Sequence, residues 1–262
     1  FAADRELPII WRIAKGSLKN KLIILLPALL ALNYFAPVVI TPLLMLGGAY
    51  LCFEGAEKLL HAFAPHGDVA QEIDTGDAAH LEEEKVAGAI KTDFILSAEI
   101  MTIALATIPD GALWLEALTL AIVGTLITVA VYGAVALIVK MDDIGLHMAA
   151  NRRTAPARAF GRGLVLAMPK VMTFLSVVGT AAMLWVGGNI VVHGLEVTHI
   201  WAWPYETIHH IAESAAIPAA AGFTTWAVTA FFDGIFGLIL GAALIPVVTK
   251  GIVPAWRMVR GE

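Results

Sequence analysis

Apolar and polar positions along the chain fall into long blocks rather than a short repeat. Over residues 1–21, Arg5, Arg12, Lys15, Lys19 and Lys21 alternate with Ile9, Ile10, Trp11 and Ile13. That pattern predicts a basic amphipathic helix, lying on a membrane surface or packed on its neighbours. The apolar stretch 22–35 that follows is too short, at about 1.5 Å per residue, to cross a hydrocarbon core of about 30 Å alone. Pro37 and Pro42 then interrupt, and a longer apolar run continues to about Leu60. Lipid offers the backbone no hydrogen-bond partner, so this break predicts a helical hairpin or a broken helix shielded by other helices. Residues 64–90 carry Asp68, Glu72, Asp74, Asp77, Glu82, Glu83 and Glu84 and read as a solvated acidic loop, partly helical from Ala78 onward.

A short apolar run over 94–108 ends at Pro109-Asp110-Gly111, a turn signal, and a full-length span over 112–139 follows, so two antiparallel helices are expected. Lys140, Arg152, Arg153, Arg158 and Arg162 form the clearest basic loop, which the positive-inside rule places in the cytoplasm. The next run, 164–192, is longer than a straight span needs and is interrupted by Pro169. Residues 197–213 hold Trp201, Trp203 and Tyr205 with no Lys or Arg, as an interfacial aromatic belt does. The last run, 215–248, is too long for one straight span and carries Asp233-Gly234 near its middle, which predicts either an unwound point or a surface turn. Lys250, Arg257 and Arg260 put the C-terminus in the cytoplasm as well. The fold expected is all-α: a polytopic transmembrane helical bundle of about six membrane segments with broken or re-entrant helices. Its organisation is a surface segment over 1–21 and a single transmembrane domain over 22–262.

Composition narrows the function classes. With 262 residues, 59% hydrophobic, 15% charged and a mean hydropathy of +0.79, the chain cannot hide its apolar surface as a soluble fold. The net charge of −5, with acidic and basic residues in separate loops, argues against a nucleic-acid partner. Cys52 is the only cysteine, which excludes an intrachain disulfide and a cysteine metal cage. The chain begins at Phe1 and shows no signal-peptide pattern, and a further N-terminal segment is expected ahead of it. Glu206 with His209, and His210 with Glu213, have helical spacing, but a carboxylate-bridged metal site needs two such helices and more carboxylates. No phosphate loop, dinucleotide fingerprint or nucleophile elbow is present, so neither an enzyme nor a cofactor or metal is expected.

The chemistry therefore rests on ionisable residues within the apolar runs. Glu99 lies well inside the run 94–108, where a charge costs about 2.5–3.5 kcal/mol and calls for a partner or a watery cavity. Asp93 and Ser97, four apart, share a helix face, although Asp93 also fits a helix cap. A weak repeat adds a second group. Residues 45–61 and 183–199 share a pattern, and setting Gly48 on Gly187 also sets Gly55 on Gly194, Glu57 on Glu196 and Glu54 on His193, within candidate repeat halves 22–139 and 163–250. Such duplicated halves are common in transporters, while glycine-rich packing helices also resemble one another. If the halves meet, Glu54, Glu57, His193 and Glu196 would converge into a cluster able to take up a proton or a cation. Asp233, between Phe232 and Gly234, is the remaining candidate, and Asp142 and Asp143 read as a solvated pair at the cytoplasmic rim.

The segments RELPIIWRIAKGSLKNK (5–21), TPLLMLGGAYLCFEGAEKLLH (41–61), GAIKTDFILSAEI (88–100), VKMDDIG (139–145) and VGTAAMLWVGGNIVVHG (178–194) resemble the YedI-type bacterial inner-membrane proteins, a family of unknown function. The resemblance weakens after His199. It implies a bacterial inner membrane and a preceding N-terminal segment, and no activity. Two functions are expected from the whole reading. One is a small-ion or proton-coupled transporter or channel. The other is a non-catalytic accessory subunit, with membrane lipids and a larger membrane complex or a second copy of itself as partners.

Overall fold

The computed structural model describes residues 3–63, 78–108, 112–151 and 155–249. The turn at 109–111, most of the acidic loop and the C-terminal basic residues lie outside them. Among the described residues eight α-helices follow in order: α1 (Ala3–Lys19), α2 (Leu26–Phe35), α3 (Ile40–Phe63), α4 (Ala78–Thr107), α5 (Leu113–Asn151), α6 (Ala155–Val197), α7 (Trp203–Ser214) and α8 (Ala221–Val247). No strand occurs among the described residues. Five stretches are long and apolar enough to cross a membrane: Leu7–Phe35, Pro37–Phe63, Leu113–Ala150, Pro156–Val197 and Ala221–Val247. The fold class is that of an all-α polytopic bundle.

Several expected breaks are absent. A π-helical turn, Asn20–Leu25, joins α1 to α2, so the short apolar stretch is the second half of one longer helix. Pro169 lies inside an uninterrupted α6, and α8 runs without a break through Asp233 and Gly234. At Gly234 a Cβ would make only ordinary contact with Trp185, at 3.8 Å. The break at Pro37 is real: Ala36 leaves the helical region and a 3-10 turn, Pro37–Val39, precedes α3.

Two compact units divide the chain, 1–37 with 71–176 and 38–70 with 177–262, and α6 contributes to both. In the first unit α1, its π turn and α2 pack on α4 and α5. Each supplies a ladder of residues four apart: Ser17, Lys21, Leu25 and Leu29; Asp93, Ser97, Met101 and Leu105; Leu120, Gly124, Thr128 and Tyr132. The lower rungs Leu25, Leu29, Met101, Leu105 and Leu120 form a buried apolar cluster. The other end of the same seam is polar. A ladder of strict fours drifts around an α-helix of 3.6 residues per turn. The π turn widens the helix where Leu26 N–H bonds the Lys21 carbonyl, five residues back, which keeps Lys21 and Leu25 on the buried side. The basic segment is thus held against neighbours over its last turns rather than lying free on a surface.

The second unit is built on close helix approach. Gly48 of α3 faces Gly187 of α6, and a Cβ on Gly187 would stand 2.7 Å from the Gly48 carbonyl oxygen. On either side, Gly55 meets Leu184 and Gly194 meets Met45, so the helices run antiparallel. These contacts are reciprocal: under the alignment that sets Gly48 on Gly187, Gly55 and Leu184 exchange with Gly194 and Met45. On α8, Asp233, Gly237 and Gly241 form the buried stripe; Gly237 packs on the Leu184 carbonyl and Gly241 on the Cys52 carbonyl. Helix α7 lays Pro204, Ile208 and Ala212 against the unit and contacts α8, while Trp201 and Trp203 stack outside, 6.1 Å apart. Widening the α3–α6 approach is expected to be costly. Gly187→Leu should lower stability by about 1–3 kcal/mol, whereas Gly88→Ala, with open space around its Cβ, should raise it by about 0.5–1 kcal/mol; unfolding of both variants in mixed micelles checks the contrast.

Candidate functional site

The polar end of the first seam brings five side chains together. Lys21, 1% exposed, donates from Nζ to Asp93 Oδ2 at 2.8 Å and to Ser17 Oγ at 2.5 Å. Ser17, also fully buried, donates to the same Asp93 oxygen at 2.6 Å, and Ser97 approaches it at 3.4 Å. The Tyr132 hydroxyl from α5 hydrogen-bonds with both Ser17 and Asp93. Each helix places its members by spacing: Ser17 and Lys21 four apart, Asp93 and Ser97 four apart, and Tyr132 four after the buried Thr128, whose own hydroxyl turns back to the Gly124 carbonyl. At Gly124 a Cβ would make only ordinary contact with the lysine stem and with Met101, at 3.8 Å.

Electrostatics makes this group exacting. Withdrawing an ammonium or a carboxylate from water costs several kcal/mol per ion, offset only by close attraction and by hydrogen bonds to the remaining protons and lone pairs. Here three donors converge on one carboxylate oxygen, and Ser17 both accepts from the lysine and donates to the aspartate. Asp93, still 19% exposed, keeps a path toward the outside of the seam.

Asp93 and Ser97 thus come together as their spacing predicts. Glu99, six positions beyond Asp93, does not join them; it is half-buried and makes no hydrogen bond or ion pair among the described residues. The four residues of the aligned segments do not converge either. Because α3 and α6 cross antiparallel at Gly48 and Gly187, Glu54 and Glu57 lie beyond one side of the crossing and His193 and Glu196 beyond the other. Glu54 pairs with Lys58 of its own helix at 2.8 Å, and His193 Nδ1 stands 3.7 Å from Glu196. Asp233 is 1% exposed and accepts from Asn189 Nδ2 at 2.9 Å. On α7, Glu206, His210 and Glu213 face outward. No group of three or more His, Cys, Asp or Glu side chains is placed to hold a metal ion among the described residues. Asp142 lies outside the side chains described, and Asp143 is half-buried.

Lys21, Ser17, Tyr132 and Asn189 were not singled out by sequence. Lys21 resembles the other cations of its segment, and only its distance of four from Ser17 and Leu25 sets it apart.

Spanning helices with charge buried between them define a polytopic integral membrane protein. Over residues 1–247 the chain matches the family described as "Protein of unknown function (DUF808)", and it belongs to that family. No curated protein and no solved structure matches it.

The buried pair should behave as a unit. Lys21→Met leaves Asp93 without its counter-charge and is expected to cost about 3–5 kcal/mol. Lys21→Met combined with Asp93→Leu should recover most of that loss, as read from unfolding in mixed micelles.

Proposed function

We propose that this protein is a small-ion or proton-coupled transporter of the bacterial inner membrane, with the Lys21–Asp93 pair as its coupling site. The observation that carries the reading is the buried ammonium of Lys21, bonded to Asp93 and Ser17 at a π-helical turn inside an apolar helix. Ionisable residues so placed are expensive, and in membrane proteins they mark ion and proton pathways. π-helical turns recur at functional sites because their hydrogen bonds can shift register. A proton arriving at Asp93 from its exposed side cancels the charge that holds Lys21. The lysine then lacks its partner, and the α1–π–α2 helix is released from α4. A small cation replacing the ammonium at Asp93 would have the same effect. Ser17, Ser97 and Tyr132 supply oxygens that can follow the exchange without further charge.

The basic loop at Lys140, Arg158 and Arg162, and the YedI-type resemblance, support an inner-membrane location with that loop in the cytoplasm. Glu99, on the same helix, is a candidate for extending the path, since no described side chain occupies it. The competing reading is an accessory subunit packed into a larger membrane complex.

Proton and cation flux from proteoliposomes decides between them. Wild-type flux falling by tenfold or more in Asp93→Asn and Lys21→Met is expected, and loss in Glu99→Gln would place that residue on the path too. Folded wild-type protein that passes no ion under any gradient, and co-purifies with a larger complex, would overturn the transport reading.

A further inference from the structure

The second unit holds a buried carboxyl that the Lys21–Asp93 site does not use. Asp233 sits on α8 at 1% exposure, and its described side-chain bond is from the neutral amide of Asn189 on α6, 2.9 Å away. The approach around it is tight: a Cβ on Gly188 would collide with the Asp233 carbonyl oxygen, and Gly237, one turn on, rests on the Leu184 carbonyl. A metal cation needs several oxygens and room for them. A proton needs only one lone pair. The Asn189 amide occupies Oδ2, which leaves Oδ1 to carry it.

The ionisable groups around Asp233 can be named element by element. On α3, Glu54 and Lys58 are bonded to each other, and Cys52 is a buried thiol near Gly187 and Gly237. On α6, Asn189 is followed one turn on by the titratable His193, whose ring lies 5.7 Å from that of Tyr205 and which stands 3.7 Å from Glu196. On α7, His209 lies near enough for its charge to act on Asp233. Its ring stacks on Tyr205 with centroids 4.1 Å apart, and Nδ1 stands 3.3 Å from the Tyr205 carbonyl oxygen. With Nδ1–H donating to that carbonyl, Nε2 carries the free lone pair. The helix α7 also bears the outward Trp203 beside Trp201, the side chains that favour a membrane–water boundary.

A parallel with the first unit points the same way. Asp93-Phe-Ile-Leu-Ser97 and Asp233-Gly-Ile-Phe-Gly237 share an aspartate, an isoleucine two on and a small buried residue four on. They are separated by nearly the same length of chain as Gly48 and Gly187. In each unit the aspartate accepts from a side chain of another helix, Lys21 together with Ser17 in the first and Asn189 in the second.

We propose that Asp233 and Asn189 form a second, proton-binding site, and that His209 exchanges its proton with the aqueous boundary. In the transfer the Asp233 O–H bond breaks, water between the two side chains relays the proton, and an Nε2–H bond forms on His209. Total charge is conserved, as a neutral pair becomes carboxylate and imidazolium.

Infrared difference spectra of the full chain in lipid, recorded across pH, test this without any flux readout, so the outcome is separate from that of the Lys21–Asp93 reading. The carbonyl band of a protonated carboxylic acid is expected in the wild type and should be absent in Asp233→Asn. It should shift in frequency in Asn189→Leu, which removes the hydrogen bond, and its titration midpoint should move by ~1 pH unit in His209→Gln. Should Asp233→Asn fail to fold, the Asn189→Leu and His209→Gln spectra still decide. Acid bands identical to wild type in Asp233→Asn, or in both Asn189→Leu and His209→Gln, would overturn the proposal.

Discussion

A lysine ammonium can leave water only where a carboxylate and neutral oxygens meet it, and in the first unit that requirement fixes the register of three helices at once. Lys21 reaches Asp93 because the N-terminal helix presents Ser17, Lys21 and Leu25 to α4 along one side. The π turn over Asn20–Leu25 widens the helix along that side. Once Lys21 is placed, Ser97 must lie one turn beyond Asp93, and Tyr132 must come from α5 at the level of Ser17. The apolar rungs Leu25, Leu29, Met101, Leu105 and Leu120 continue the same lines, so a slip of one helix would break both halves of the seam.

The second unit answers the same burial problem with fewer charges and closer backbones. In a bilayer, apolar side chains gain little from leaving lipid for one another, so association depends on tight packing and on interhelical hydrogen bonds. The glycines at 48, 187, 188, 237 and 241 bring α3, α6 and α8 into backbone contact, and the Asn189–Asp233 bond is the polar element among them. About the Gly48–Gly187 approach the flanking contacts are Gly55 with Leu184 on one side and Gly194 with Met45 on the other. The two units differ in the partner each buried aspartate receives. A cationic partner stabilises the ionised form, and a neutral amide tolerates the acid.

Much of the fold was legible in the sequence because it is a matter of bulk: long apolar blocks, few charges and prolines between them. The helix breaks were less so. Pro37 does end a helix, while Pro169 does not, and nothing in the residues flanking the two distinguishes them. Asp233-Gly234 looked like an unwound point because a charge and a glycine adjoin in an apolar run; the structure carries both within an unbroken helix and gives the aspartate to Asn189. At the site, the spacing of Asp93 and Ser97 was informative because it concerns one helix. Its cation was not, since a sequence shows where charges are and not which helices face each other. The π turn shifts hydrogen bonds by one residue and leaves no compositional trace. Glu99 drew attention by its depth in an apolar run, a property that records the cost of burial and not whether a partner has been provided.

Cys52 gives the close packing of α3, α6 and α8 a practical meaning. Its side chain is fully enclosed, its sulfur lies against Gly187 and Gly237, and its carbonyl supports Gly241. The chain's single thiol therefore stands where three helices touch, and no reagent can reach it while they remain together. The protein carries its own reporter of helix separation: modification of Cys52 follows the opening of this junction, its equilibrium when reclosing is fast and its rate when the reagent outpaces reclosing, with no label or foreign residue introduced.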